Sequence, residues 1–181
     1  MKKIIVITGS PRKNGNSSQL ADNFIKSAQH KGLNVMRFDT AFLNIGACRA
    51  CNQCYSKHDA CIFNDDFNQI AKELENADGI VFVTPVYWFS FPAQIKAFID
   101  RLYSMYSGGK TFANKKCALI ACCEADELST FDGIKFAYEQ TVELMNGESV
   151  AELLIPSVLE IGDIKKTKGE ELATQLAGKF L

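Results

Sequence analysis

The chain of 181 residues has no charge bias: 20 basic side chains stand against 21 acidic ones, a net charge of −1. So balanced a surface has no general attraction for nucleic acid or for an anionic membrane, and neither is expected as a partner. No apolar run approaches the roughly 20 residues needed to cross a bilayer. The run after Met1-Lys2-Lys3, Ile4-Ile5-Val6-Ile7, is too short for a secretory signal, so a cytoplasmic protein is the expectation. Internal repeats, low-complexity tracts and linker-like stretches are also missing. At roughly 150 residues per domain this length predicts a single domain over 1–181. Hydrophobic residues at 47% and charged ones at 23% exclude intrinsic disorder.

Cysteine is the abundant exception, with seven. In a reducing compartment they do not form a disulfide framework. Cys117, Cys122 and Cys123 sit in or beside an apolar run and read as core or as residues beside a ligand. Cys48, Cys51, Cys54 and Cys61 fall within 14 residues and call for a chemical explanation.

Apolar runs alternate with helical patterns along the chain. Strands are predicted at Ile4–Thr8, Asn34–Asp39, Gly79–Thr84, Lys116–Cys122 and Ser149–Ile155. Glu152 interrupts the last, which suits a sheet edge. Helices are predicted at Ser17–Lys31, Phe67–Asn76 with Asp65 or Asp66 as cap, Pro92 to about Tyr106, Thr130–Met145, and within Ile164–Phe180. Five short Ile- and Val-rich strands alternating with five helices imply an α/β fold, a parallel sheet covered on both faces. Such sheets bind ligands beyond the carboxyl ends of the strands. The loops after strands one, three and four are therefore the informative ones.

The first loop, Gly9-Ser10-Pro11-Arg12-Lys13-Asn14-Gly15-Asn16-Ser17-Ser18, is polar and runs into a helix N-terminus, which suits a phosphate. It lacks the Gly-Lys-Ser/Thr of nucleoside triphosphatases, the G-x-G-x-x-G of dinucleotide folds and a phosphatase cysteine. Gly9-Ser10 and Thr84 stand where a receiver domain needs acids. The simpler alternative is a helix cap followed by a surface turn. The second loop, Thr84-Pro85-Val86-Tyr87-Trp88-Phe89-Ser90-Phe91-Pro92, carries four aromatics where loops are usually polar. It reads as a wall for a planar ring, as an oligomer contact, or as both. The third, Cys122-Cys123-Glu124 onward, reads as the ring's polar edge or as an ordinary loop.

The cysteine spacing is C-x2-C-x2-C-x6-C. Structural zinc sites usually separate two C-x2-C pairs more widely, whereas compact spacing is the iron–sulfur pattern. A cluster, zinc and unligated thiols all remain open. His58 lies inside the segment and reads as a substitute ligand or a surface histidine. His30, at a helix end, has no catalytic reading.

Together, Gly9-Ser10-Pro11-Arg12 with Asn16-Ser17-Ser18, the cysteine motif leading to Asp65-Asp66, and Thr84-Pro85-Val86-Tyr87-Trp88 with Pro92, Lys96 and Asp100-Arg101 resemble the flavodoxin-like NAD(P)H-dependent FMN reductases and their iron–sulfur flavoprotein relatives. The resemblance covers about residues 3–125. It implies a three-layer sandwich with a five-stranded parallel sheet in the order 2-1-3-4-5 and an FMN-binding domain. It assigns Ser10, Arg12, Asn16, Ser17 and Ser18 to the FMN phosphate. Pro85, Val86, Tyr87, Trp88 and Phe89 fall to the ring, and Cys122, Cys123 and Glu124 to its polar edge. By the same resemblance Cys48, Cys51, Cys54 and Cys61 would hold a [4Fe-4S] cluster. Asp100-Arg101 would sit at an interface of a homodimer or homotetramer, or form a surface ion pair. The implied activity is a flavin-dependent oxidoreductase, with hydride from NAD(P)H passing to FMN, quinones or another small-molecule acceptor. The alternative is an electron carrier accepting electrons from ferredoxin through the cluster. In either case the flavin carries the chemistry, and no catalytic acid, base or nucleophile is expected.

Overall fold

The computed structural model describes residues 1–181. Five strands form one parallel sheet: β1 (Lys3–Thr8), β2 (Asn34–Asp39), β3 (Gly79–Pro85), β4 (Lys116–Cys122) and β5 (Glu148–Ile155), ordered β2-β1-β3-β4-β5. The helices are α1 (Asn16–His30), α2 (Asp66–Glu75), α3 (Ala93–Ser107), α4 (Asp132–Leu144) and α5 (Gly169–Leu176). None is long and apolar enough to cross a membrane.

The continuous apolar runs of the inner strands follow from burial on both faces. Ile5 and Ile7 of β1, Ile80 and Phe82 of β3, and Leu119 and Ala121 of β4 pack against α2, α3 and α4. Their neighbours Ile4, Val6, Val81, Val83, Ala118 and Ile120 pack against α1 and α5. Alternating side chains thus feed two cores from one strand. β5 is an edge, and its Glu152 pairs with Lys135 of α4 at 3.3 Å.

Element boundaries move by a residue or two where caps decide them. Asp65 is the cap of α2, accepting from the Phe67 N–H at 3.2 Å. Pro92 caps α3 from just outside its first turn. α4 starts at Asp132, later than Thr130, because Leu128–Phe131 winds as a tighter 3-10 turn. The C-terminal helix is only α5, flanked by 3-10 turns at Asp163–Lys166 and Ala177–Phe180.

The chain leaves β1 for β2 on one side and returns to β3 on the other. Their carboxyl ends therefore splay around a crevice. Gly9, just past β1, lets this edge close up. A Cβ there would lie 2.5 Å from Thr84 Oγ1 and 2.7 Å from Ile95 Cγ2.

Candidate functional site

A cavity of about 730 Å³ opens at that crevice, within the range of small-molecule sites. Its walls include Ser10, Arg12, Asn16 and Ser17, then Pro85, Val86, Tyr87, Trp88 and Phe89, then Cys122, Cys123 and Glu124. Three loops far apart in sequence meet there because β1, β3 and β4 are adjacent and parallel.

One end of the cavity is the start of α1. Gly15 is its N-cap residue, no side chain caps the first turn, and no acidic residue lies in it. The N–H groups and positive dipole end are thus left for an anion. The approach loop is closed on itself. Ser10 Oγ accepts from the Arg12 N–H at 3.1 Å, and the Gly15 N–H donates to the Arg12 carbonyl at 3.0 Å. Arg12 lines the cavity, whereas Lys13 sits over the Phe42 ring, 5.1 Å from its centroid.

Two of the expected phosphate residues are otherwise engaged. The Ser18 hydroxyl accepts from Arg37 Nη2 at 2.8 Å, and Ser18 is outside the cavity lining. The Asn16 side chain donates to the Glu160 carbonyl at 2.9 Å and accepts from the Gly162 and Ile164 N–H groups. Asn16 thereby ties the loop after β5 to the first loop, and only its backbone is left for a ligand.

The aromatic wall is a tight turn. Tyr87 and Ser90 exchange backbone hydrogen bonds of 3.0 and 3.1 Å, and the two central residues, Trp88 and Phe89, have φ of 48° and 64°. Left-handed backbone at both central positions normally selects glycine or asparagine. Two bulky aromatics there store strain of about 1–3 kcal/mol each. The turn is braced from behind by Gly133, where a Cβ would fall 2.3 Å from the Phe89 carbonyl oxygen. It holds the Trp88 side chain 93% exposed at the mouth.

Burial pushes the Cys122 thiol up to about 12 and raises Cys123 as well, so both are neutral side chains and poor nucleophiles. Ala125 of the third loop lines the far wall as well, and beside it stand residues that sequence reasoning missed: Glu127, Thr130, Val158 and Leu159. The apolar Val158-Leu159 pair in the loop after β5 was the available signal, since that loop leaves the same sheet edge.

The cysteine segment forms a second region between β2 and α2. Cys48, Cys51, Cys54 and Cys61 all line one small cavity, with Phe63, Arg101 and Tyr103. Its space is about 20 Å³, room for about one water molecule. No three of the thiols stand together as a ligand set. Cys48 and Cys51 are exposed, Cys54 and Cys61 half-buried. His58 is exposed and outside the lining.

The segment is pinned from outside. Asn68 accepts from the Cys61 N–H at 2.8 Å and donates to the Cys61 and Phe63 carbonyls. Tyr55 donates to Glu75 at 3.0 Å. Arg101 is not in a surface pair with Asp100. It is buried, bound to Asp65 and to the Gly46 carbonyl, and stacked on Phe67 at 4.4 Å. The surface pair is Lys96–Asp100 instead. Four thiols beside a buried guanidinium have the donor chemistry of a thiolate-bound group, and holding one of cubane size would require the segment to open.

Fold and cavity together define a flavodoxin-like α/β protein. An FMN-dependent NADH-azoreductase from Bacillus anthracis, solved in complex with FMN, superimposes with a TM-score of 0.71 over 99% of each chain at 12% identity. The sequence pattern of the NADPH-dependent FMN reductases matches residues 2–129, and the chain belongs to that family. It is 36% identical over 116 residues to an iron–sulfur flavoprotein of Methanosarcina thermophila, covering 62% of this chain and 58% of that one. It is 30% identical over 146 residues to one of Archaeoglobus fulgidus, covering 80% and 72%. The chain spans about half the length of several such relatives, from 45 to 58%.

Proposed function

We propose that the chain is an FMN-dependent oxidoreductase that takes hydride from NAD(P)H and delivers electrons to FMN, a quinone or another small acceptor. The observation that carries this reading is the 730 Å³ cavity, with an uncapped, acid-free helix N-terminus at one end and an aromatic turn at the other. Bound FMN would supply the redox chemistry, accepting electrons in pairs and passing them on in pairs or singly.

The protein's part is to bind and orient. The first-turn N–H groups of α1, with the Ser10 and Ser17 hydroxyls and the Arg12 charge, would hold the phosphate. Ser18 acts indirectly, fixing Arg37 beside the loop. The Pro85–Phe89 segment would flank the ring, and the loop from Cys122 to Glu124 would meet its polar edge. The exposed Tyr87, Trp88 and Phe89 leave that site open to a second copy of the chain, as a homodimer or homotetramer would supply.

A second reading, an electron carrier fed by a redox protein such as ferredoxin, is favoured by one observation: the four cysteines share a cavity. In it Cys48, Cys51, Cys54 and Cys61 would hold a [4Fe-4S] cluster. The discriminating experiment loads the chain with FMN without oxygen and adds NADH or NADPH with a quinone. Sustained turnover supports the reductase. A single stoichiometric reduction, or none until reduced ferredoxin is added, supports the carrier. Failure to take up FMN overturns both.

A further inference from the structure

Arg101 is 2% exposed, yet only part of its guanidinium is used. Both of its hydrogen bonds inside the chain come from Nη1, to Asp65 and to the Gly46 carbonyl. One face of the group is stacked on the Phe67 ring. Nε and Nη2 are buried and have no partner. Leaving charged donors unpaired in the interior is costly, and native proteins seldom do so without a reason. A pin for the cysteine segment needs only the Nη1 contacts.

The unpaired side of the guanidinium belongs to a residue that lines the cavity of Cys48, Cys51, Cys54 and Cys61. Burial alone disfavours its charge. A guanidinium nevertheless keeps its charge in a protein. Asp65 takes only Nη1, so two buried N–H groups of the cation are left unclaimed on a residue that lines the four-thiol cavity.

We propose that Arg101 is the positioning and charge-balancing residue of the four-cysteine centre, its free Nε–H and Nη2–H serving the thiolate sulfurs of the iron–sulfur group bound there. The proposal rests on the cluster reading above. A cubane held by four thiolates carries net negative charge, and reduction adds to it. A fixed cation beside it strengthens binding and favours the reduced form, and N–H groups aimed at sulfur act in the same direction. Asp65 has a dual task. One carboxylate oxygen caps α2 and the other fixes Arg101, so the start of the helix and the cation are set together.

The test uses the whole chain, reconstituted without oxygen with ferrous iron and sulfide. Arg101→Met alone would strand the half-buried carboxylate of Asp65, so it is paired with Asp65→Asn, which keeps the helix cap. Arg101→Lys keeps the charge but not the planar fork. Iron and sulfide per chain, the rate of iron loss to a chelator and the midpoint potential are measured, with circular dichroism as the folding control. The double variant should lose iron about 10–100-fold more readily than the parent and have a more negative potential. Arg101→Lys should recover most of the potential and only part of the retention. If the parent loads iron and both variants match it in retention and potential, the assignment of Arg101 is overturned while the cluster stands. If the parent chain takes up no iron and sulfide, the cluster reading falls and this proposal falls with it.

Discussion

The cavity at the sheet edge is walled by segments that leave β1, β3, β4 and β5 directly, while the cysteine cavity lies in an irregular stretch that no strand supports. The first has room for a ligand of flavin size before any ligand arrives. The second closes to about 20 Å³, and its chain passes through left-handed backbone at Ala50, Asn52, Tyr55 and His58. Parallel strands fix their loop starts to within hydrogen-bond precision, so a site there is preformed. A loop-built cavity needs its own anchors, here Asn68, Tyr55 and Arg101. On the reading proposed above, one chain would set a preformed organic-cofactor site beside a thiolate site whose shape is completed on binding.

The sharpest way to separate the two regions is Cys51→Ser. It should abolish iron loading in reconstitution and leave FMN uptake unchanged, read by iron analysis and flavin absorbance on the same sample. Two glycines come next. Gly133→Ala drives a Cβ against the Phe89 carbonyl, and Gly108→Ala drives one to 2.3 Å from the Tyr55 ring. Each should cost about 1–3 kcal/mol of local fit. The first should weaken FMN binding about tenfold, and the second should speed iron loss instead. Crossed effects would erase the distinction between the regions.

Ser17→Ala should reduce FMN affinity by about tenfold, the scale of one hydrogen bond to a charged group. Ser18→Ala should leave affinity within about twofold, because its hydroxyl serves Arg37 rather than the cavity. Fluorescence titration decides between them. Thiol reactivity offers a subtler comparison. Cys48 and Cys51 should alkylate at pH 8 in chain lacking iron, while Cys117 and Cys122, pushed up to about 12 by burial, should not. The unfolded chain loses these two protons near 9, earlier than the folded one. Stability should therefore fall as pH rises from 9 to 12 in denaturant melts. The smallest effect is on stability in Trp88→Ala, within about 0.5 kcal/mol because the side chain is exposed, measured by thermal melt.

Residues out of place for their surroundings were legible in the sequence. Four aromatics in one loop, serines before a helix and four close cysteines all marked regions that the fold brings to cavities. β3 and β4 were legible because Ile80-Val81-Phe82-Val83 and the run to Cys122 suit only two-sided burial. What stayed hidden depends on distant partners. Asn16 is engaged by the loop 144 residues later, and Ser18 by Arg37 within β2. Arg101 looked like half of a pair with Asp100. Adjacent residues on a helix point about 100° apart, so Asp100 faces solvent with Lys96 while Arg101 enters the core. The start of α4 was obscured by a 3-10 turn, whose apolar residues fit either helix type.

Whether the sheet-edge cavity binds FMN is decided by purifying the chain without oxygen and recording its absorption spectrum, with the flavin released and counted against protein. Flavin bands and one FMN per chain, either as isolated or after titration, are expected. A colourless chain that neither carries FMN nor quenches its fluorescence on addition would contradict FMN binding there.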